Sequence, residues 1–221
     1  MALELKAAPE GLMSDAELAA WHDIPPAIIS DELNRTGAMA AAIKPLAPGM
    51  KVVGQALTVQ TMVGDNAALH YCLTVAWPGA VIVVDARGHL DTAVWGGILT
   101  YAAKHVGVAG VVVDGSVRDV AELRESGVAV YARGAIPSGP HKGWGGSVNV
   151  PIQCGGVAVD PGDLIVADDD GVVSVGRRHL DGLLARCRAR LEREAVMLQR
   201  IDAGATTVEL QGLPPAEEFG G

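Results

Sequence analysis

Pro78-Gly-Ala-Val-Ile-Val-Val84 decides the fold. A Pro-Gly turn signal runs into a continuous apolar stretch, the mark of a short strand buried on both faces, as in a parallel sheet. Working outward from it, the periodicity predicts a helix over 92–106, a strand at 110–113, a helix over 117–126 and a strand at 128–132. That order is βαβαβ, which calls for right-handed crossovers into a parallel sheet. Upstream, Ser14-Asp-Ala-Glu17 fits a capping box, Pro25 can start a second helix that stops at Gly37, so the chain opens helical. Residues 51–61 alternate like a strand with a bulge expected at Gly54, and 66–76 has helical spacing. Downstream of Gly134 come a Gly-rich loop and short strands at 148–153, 157–159, 164–167 and 172–175. A long helix over 178–203 then interleaves Leu180, Leu183, Leu184, Leu191 and Leu198 with charged residues. The reading is an α/β protein in one domain, 1–221, with its core at about 15–205 and with the first few residues and the 212–221 tail frayed.

Composition narrows the function. The 221 residues carry 17 Lys+Arg against 26 Asp+Glu, a net charge of −9, which argues against a phosphate-binding surface and hence against nucleic acid as a partner. The apolar runs are far shorter than the ~20 residues a membrane helix needs, and Met1-Ala-Leu-Glu-Leu-Lys6 has no secretory pattern, so a cytoplasmic location is expected. Cys72, Cys154 and Cys187 form no Cys-x-x-Cys pair and read as buried packing residues. There is no Gly-x-Ser-x-Gly elbow and no Walker loop, and Val148 spoils the dinucleotide fingerprint that begins at Gly143. Asp168-Asp-Asp-Gly171 lies between two short strands and reads as a turn.

The chemistry gathers where strands end. The strand closing at Val113 delivers Asp114-Gly-Ser-Val-Arg118-Asp119 into a helix, and ligands of parallel sheets sit outside such carboxyl ends. A guanidinium beside a carboxylate can hold an anionic carboxylate or enolate while the acid holds a hard cation; equally, Asp119 can pair with Arg118 or cap the helix. Trp95-Gly96-Gly97-Ile98-Leu99 lies in the preceding crossover, where two glycines either open the amides of Ile98 and Leu99 to a ligand or let helix and sheet pack closely. Asp85, Arg87 and His89 stand beyond the 80–84 strand as cleft or loop charges. His141-Lys142 lies in a Gly/Pro loop that could meet substrate or a neighbouring subunit. None of the five lysines follows a strand of the βαβαβ region, which disfavours a Schiff-base route.

These residues resemble a known family. Gly64-Asp65-Asn66 followed by His70, Trp95 through Leu99, Gly107-x-x-Gly110 and Val113 through Asp119 are similar to the RraA-like family, over roughly 15–205. Ser138-Gly-Pro-His-Lys-Gly143, Asn149-Val-Pro151, Pro161-Gly-Asp163 and Asp168 through Gly171 look more like its aldolase branch than its regulator branch. The resemblance implies an αββα sandwich, assembled as a homotrimer or dimer of trimers with the active site between subunits. It implies a metal-dependent lyase that cleaves 4-hydroxy-2-oxo acids, such as 4-hydroxy-4-methyl-2-oxoglutarate or 4-carboxy-4-hydroxy-2-oxoadipate, and decarboxylates oxaloacetate. Arg118 matches the residue that binds the pyruvyl group and stabilises its enolate; Asp119 matches the ligand of Mg²⁺ or Mn²⁺. Gly96 and Gly97 precede Ile98 and Leu99, whose amides match the donors to the pyruvyl carboxylate. Glu192 or Glu194 could match an acid lent by a neighbouring subunit, or simply face solvent.

One departure stands out. The family's aldolases place an Asp 21 positions before the arginine, and counting back from Arg118 lands on Gly97. A carboxylate from Asp85, Asp114 or a neighbouring subunit would have to replace it. The loss also keeps two other readings open: a non-catalytic regulator that binds an RNA-degrading endonuclease, and a lyase for an unrelated 2-oxo acid.

Overall fold

The computed structural model of the protein describes residues 2–214. The first half runs β1 (Ala2–Leu5), α1 (Asp15–Ala19), α2 (Pro26–Glu32), β2 (Lys44–Pro45), β3 (Val52–Thr61), α3 (Ala67–Cys72), β4 (Ala80–Trp95), α4 (Gly97–His105) and β5 (Gly110–Val117). It continues α5 (Val120–Glu125), β6 (Ala129–Ala135), β7 (Gly145–Val148), β8 (Ile152–Cys154), β9 (Val157–Val159), β10 (Leu164–Asp168) and β11 (Gly171–Val175). A 3-10 turn (Arg177–His179) leads to α6 (Leu183–Asp202) and α7 (Thr207–Gln211).

The expected βαβαβ unit is present: β3, β4, β5 and β6 pair in parallel, in that spatial order. On the outer side of β3, β10 pairs with its first half and β7 with its second, both antiparallel. Alternation explains the continuous apolar runs. Ile82, Val84, Val111 and Val113 face α3, α4 and α5 through Leu69, Cys72, Leu99, Ala103 and Leu123. Val81, Val83 and Val112 face the other way, onto the β8–β9 hairpin and the segment carrying Met39 and Ile43. A third core joins α2 and α6 to β10 and β11. Cys72, Cys154 and Cys187 are buried in these cores. The Ser14–Glu17 capping box forms, and Asp169-Asp170 turns the β10–β11 hairpin.

Several boundaries differ from expectation. Ala2–Leu5 does not fray and the chain does not open helical: β1 adds in parallel to the free edge of β7, with Leu3 against the helix-side core. Of the 212–221 tail, 215–221 lie outside the described residues, and Gly212 caps α7 at φ 61°. Gly54 is no bulge; it lets β3 approach the Gly79 carbonyl where a Cβ would collide. Strand β4 runs on to Trp95, with register shifts around an excursion at Arg87 (φ 58°), so the following helix starts at Gly97. Helix α5 starts after Asp119 because Val117 still pairs with Trp95 and Ala135. The 148–153 stretch splits in two because Asn149 takes φ 55°. Only the first half of α6 is packed; Val196, Leu198 and Ile201 are exposed.

One buried carboxylate fastens the loop that crosses the carboxyl ends of the strands. Asp65 is fully buried and accepts from the amides of Ala67 (2.8 Å), Gly143 (2.7 Å) and Trp144 (3.1 Å). The His141 and Asn66 segments also exchange backbone hydrogen bonds beside it. Burial alone would raise the Asp65 pKa, but the three amides outweigh it and hold the carboxyl below its usual range. A depressed folded-state pKa contributes stability above the unfolded value, about 3.9, and loses it as pH falls through the folded value. Asp65→Ala should therefore cost on the order of 2–3 kcal/mol at pH 7, with the gap to the parent narrowing below pH ~4. Urea unfolding of both proteins at pH 7 and pH 3 measures it.

Candidate active site

Two crossovers begin side by side. Trp95 and Val117 are register partners at the ends of β4 and β5, and the Arg118 amide donates to the Trp95 carbonyl at 2.9 Å. Gly96-Gly97 and Arg118-Asp119 are therefore adjacent at the carboxyl edge of the sheet. The first turn is braced from inside: the Trp95 indole donates to Thr100 Oγ1 (2.7 Å), and that hydroxyl donates to the Gly96 carbonyl (3.1 Å). Helix α4 has no side-chain cap at Gly96, and the Ile98 and Leu99 amides lack hydrogen-bond partners among the described residues.

Asp119 sits in the left-handed region at φ 59°, ψ 38°, a conformation Asp tolerates better than most residues but which still costs free energy. The turn directs its carboxylate away from α5 and towards α4, where Oδ2 accepts the Gly97 amide at 3.0 Å. Asp119 thus caps the neighbouring helix rather than its own. Its contact with Arg118 is loose, 3.6 Å, with both side chains about two-fifths exposed, so it contributes little. The Arg118 guanidinium makes no side-chain hydrogen bond among the described residues and rests against Gly139, where a Cβ would lie 2.5 Å from Nη1. Its donors remain available to an anion.

A cavity of about 60 Å³ collects Gly96, Gly97, Ile98 and Leu99 with Arg118 and Asp119, so all six expected residues meet. It is several times the ~10–15 Å³ that one water needs. A larger groove of about 570 Å³ runs between α4 and α5 and meets the first at Gly97.

A carboxylate does stand beside Gly97, where the family's aldolases carry an Asp. Both Oε atoms of Glu122 occupy the space where a Cβ at Gly97 would stand. Glu122 follows Asp119 by three residues, so one helical turn brings it back over the same edge. Sequence reading overlooked it, although the spacing from Asp119 was available as a signal. The two acids considered for this task are engaged elsewhere: Asp114 accepts from Arg133 and the Gly155 amide, and Asp85 from Gln60 and the Arg87 amide. Both face the hairpin side of the sheet, and Arg87 and His89 do not line the Arg118 cavity. Glu192 and Glu194 lie on α6 and also stay out of it within this chain; Glu194 accepts from Arg190 at 3.1 Å.

Asp119 and Glu122 supply hard carboxylate oxygens and no soft donor, the set that suits Mg²⁺ or Mn²⁺, since Mg²⁺ keeps several waters and takes one or two carboxylates. Asp119 Oδ1 receives no hydrogen bond among the described residues. The two acids flank the Gly96-Gly97 pair, Asp119 Oδ2 against the Cβ position of Gly96 and Glu122 against that of Gly97. The residues present fit the cation.

Known proteins fit the same picture. The chain is 39% identical, over 80% of its length and 86% of the relative's, to a Halalkalibacterium halodurans protein named "Putative 4-hydroxy-4-methyl-2-oxoglutarate aldolase". Its fold matches Streptomyces coelicolor RraAS2, described as an unusual member of the RNase ES inhibitor RraA protein family, at TM-score 0.77 and 30% identity, covering 85% of this chain and 98% of that one. It also matches the RNA-processing inhibitor RraA from Thermus thermophilis, at TM-score 0.64 and 35% identity, covering 69% and 93%. The family model described as RraA-like, Aldolase/RraA, matches residues 26–174. With that match and with the Arg118-Asp119 turn where β5 ends, the chain belongs to the RraA-like family.

Proposed function

We propose that the protein is a divalent-metal-dependent carbon–carbon lyase that cleaves 4-hydroxy-2-oxo acids of the 4-hydroxy-4-methyl-2-oxoglutarate or 4-carboxy-4-hydroxy-2-oxoadipate type to pyruvate, and that also decarboxylates oxaloacetate. The observation that carries this reading is the convergence at one strand edge of a loosely paired guanidinium, two uncapped amides and the Asp119 carboxylate, with Glu122 in the adjoining groove on the far side of Gly97. The named aldolase relative supports it.

Both reactions leave the same enolate of pyruvate, so stabilising that charge is the central requirement. The Ile98 and Leu99 amides receive the substrate's C1 carboxylate at the positive end of α4. Arg118 stands beside them to neutralise charge developing on the 2-oxo oxygen. A divalent cation held by Asp119 and Glu122 would add Lewis-acid polarisation of that oxygen. Glu122, which lines the groove on the far side of Gly97, takes the 4-hydroxyl proton as the C3–C4 bond breaks. Lys142 lines the cavity from the 138–144 loop, but its side chain is solvent-exposed, whereas a Schiff-base lysine needs a desolvated setting. Glu192 and Glu194 could join the site only from another subunit, in a homotrimer or dimer of trimers.

The regulator reading draws on the relatives named for inhibiting RNA processing. It gives no reason for a loosely paired guanidinium beside these carboxylates, and pyruvate formation separates the two. With Mg²⁺ present, purified protein should release pyruvate from oxaloacetate and from 4-carboxy-4-hydroxy-2-oxoadipate. EDTA should stop it, and Arg118→Ala should cut kcat/KM by about 10²–10³-fold. No pyruvate from either substrate, in folded protein with metal supplied, would overturn the lyase reading.

A swap probes the Gly97 departure. Gly97→Asp alone should lower activity because the new carboxylate lands on Glu122, and Gly97→Asp with Glu122→Ala should recover at least about tenfold of the loss. Steady-state pyruvate kinetics of the three proteins measure this.

A further inference from the structure

A second cavity, of about 690 Å³, shares no lining residue with the Arg118 site. It opens where α2 ends, β9 passes and β11 runs into the 3-10 turn, and its size lies within the ~300–1,000 Å³ of small-molecule pockets. Part of its charge is paired within the chain: Glu32 is shared among Arg186 (3.8 Å), Arg190 (3.7 Å) and Arg193 (3.7 Å).

The remaining polar groups are not. Ser174 is 4% exposed and lines the cavity, yet its hydroxyl has no hydrogen-bond partner among the described residues. Such a group costs free energy unless something entering the cavity pairs with it. Asp163, equally buried, accepts the amides of Asp160 (2.9 Å) and Arg177 (3.3 Å), one on each oxygen, so each oxygen keeps a lone pair. Neither the Asp160 carboxylate nor Arg178 makes an ion pair among the described residues; Arg178 Nε donates to His179 at 3.0 Å. Burial pushes the Asp163 carboxyl above its usual range against the pull of those two amides; the Asp160 charge adds to the rise and the Arg178 charge opposes it. The three charges thus feel one another, but the guanidinium closes on neither acid.

Two acids and a guanidinium held apart suit a ligand that carries both signs of charge. A bare cation does not fit, because no three metal-ligating side chains gather among the described residues. Leu33, Val157 and Ala158 add an apolar wall. We propose that this cavity binds a free α-amino acid with an aliphatic side chain: Arg178 takes its carboxylate, Asp160, Asp163 and Ser174 Oγ accept the three N–H groups of its ammonium, and the apolar wall covers its side chain. The site stands apart from the lyase reading and does not rest on it.

Calorimetric titration of the full chain with L-leucine should give a Kd below about 1 mM. Isoamylamine, which lacks the carboxylate, and isocaproate, which lacks the amine, should each bind at least about tenfold more weakly, because each leaves a charge of the site unpaired. Arg178→Ala, at an exposed position, should weaken leucine by about tenfold and leave isoamylamine unchanged. Ser174→Ala should weaken leucine by about fivefold while its urea midpoint stays level or rises, since the substitution removes a buried hydroxyl that nothing in the chain pairs with; a serine that only holds the fold would lower the midpoint. The inference is overturned if leucine gives no binding heat at up to about 10 mM, if either truncated analogue binds as well as leucine, or if both substitutions leave leucine binding intact.

Discussion

The hydrogen bond from the Gly97 amide to the Asp119 carboxylate ties the starts of two helices together, and the site depends on it. It exists because β4 and β5 end in register and because Asp119 accepts a left-handed backbone that turns its side chain across to the neighbouring crossover. Were Asp119 helical, its carboxylate would serve α5 and both the α4 start and the Arg118 side chain would lose their shared reference point. The same bond uses only one oxygen, so holding the fold and holding a cation do not compete for the same lone pairs.

Around that bond the charges are arranged by depth. The acids at the ends of β4 and β5 on the hairpin side, Asp85 and Asp114, are buried and satisfied by fixed partners, so they serve structure. Arg118 and Asp119 are partly exposed and loosely paired, and Glu122 and Lys142 are exposed with no ion pair among the described residues, so each can meet a ligand at little cost. Asp65 belongs to the first group but acts for the second, since its buried carboxylate fixes the loop that brings Pro140 and Lys142 to the cavity.

Much of this was legible in the chain. The runs at 80–84 and 110–113 announce strands buried on both faces, and Arg118-Asp119 at a strand end announces the candidate site. What escaped was mostly non-local. Strand β4 outruns its apolar run because, after the excursion at Arg87, it returns to pairing at Ala93 and Trp95. Strand β1 has no inward pattern of its own; it is a strand because β7 offers an edge. Asp85 and Asp114 looked available because the sequence does not show Gln60, Arg133 or Gly155 arriving from distant segments. Glu122 is the opposite case, a local relation: it follows Asp119 by three residues on one helix.

The antiparallel pairing of β3 with β10 has a consequence for how the chain comes into being. Gln55 meets Leu164, a partner 109 residues later, whereas β4 begins only 25 residues after Gln55. At a synthesis rate of ~5–20 residues per second, β3 emerges and finds β4 within seconds, but the edge destined for β10 stays open for roughly 5–20 seconds. During that interval the nascent chain presents an apolar, unpaired strand edge, the feature most prone to mispairing with another chain. The helix-side core can close early, while the hairpin-side core must wait for the last third of the chain.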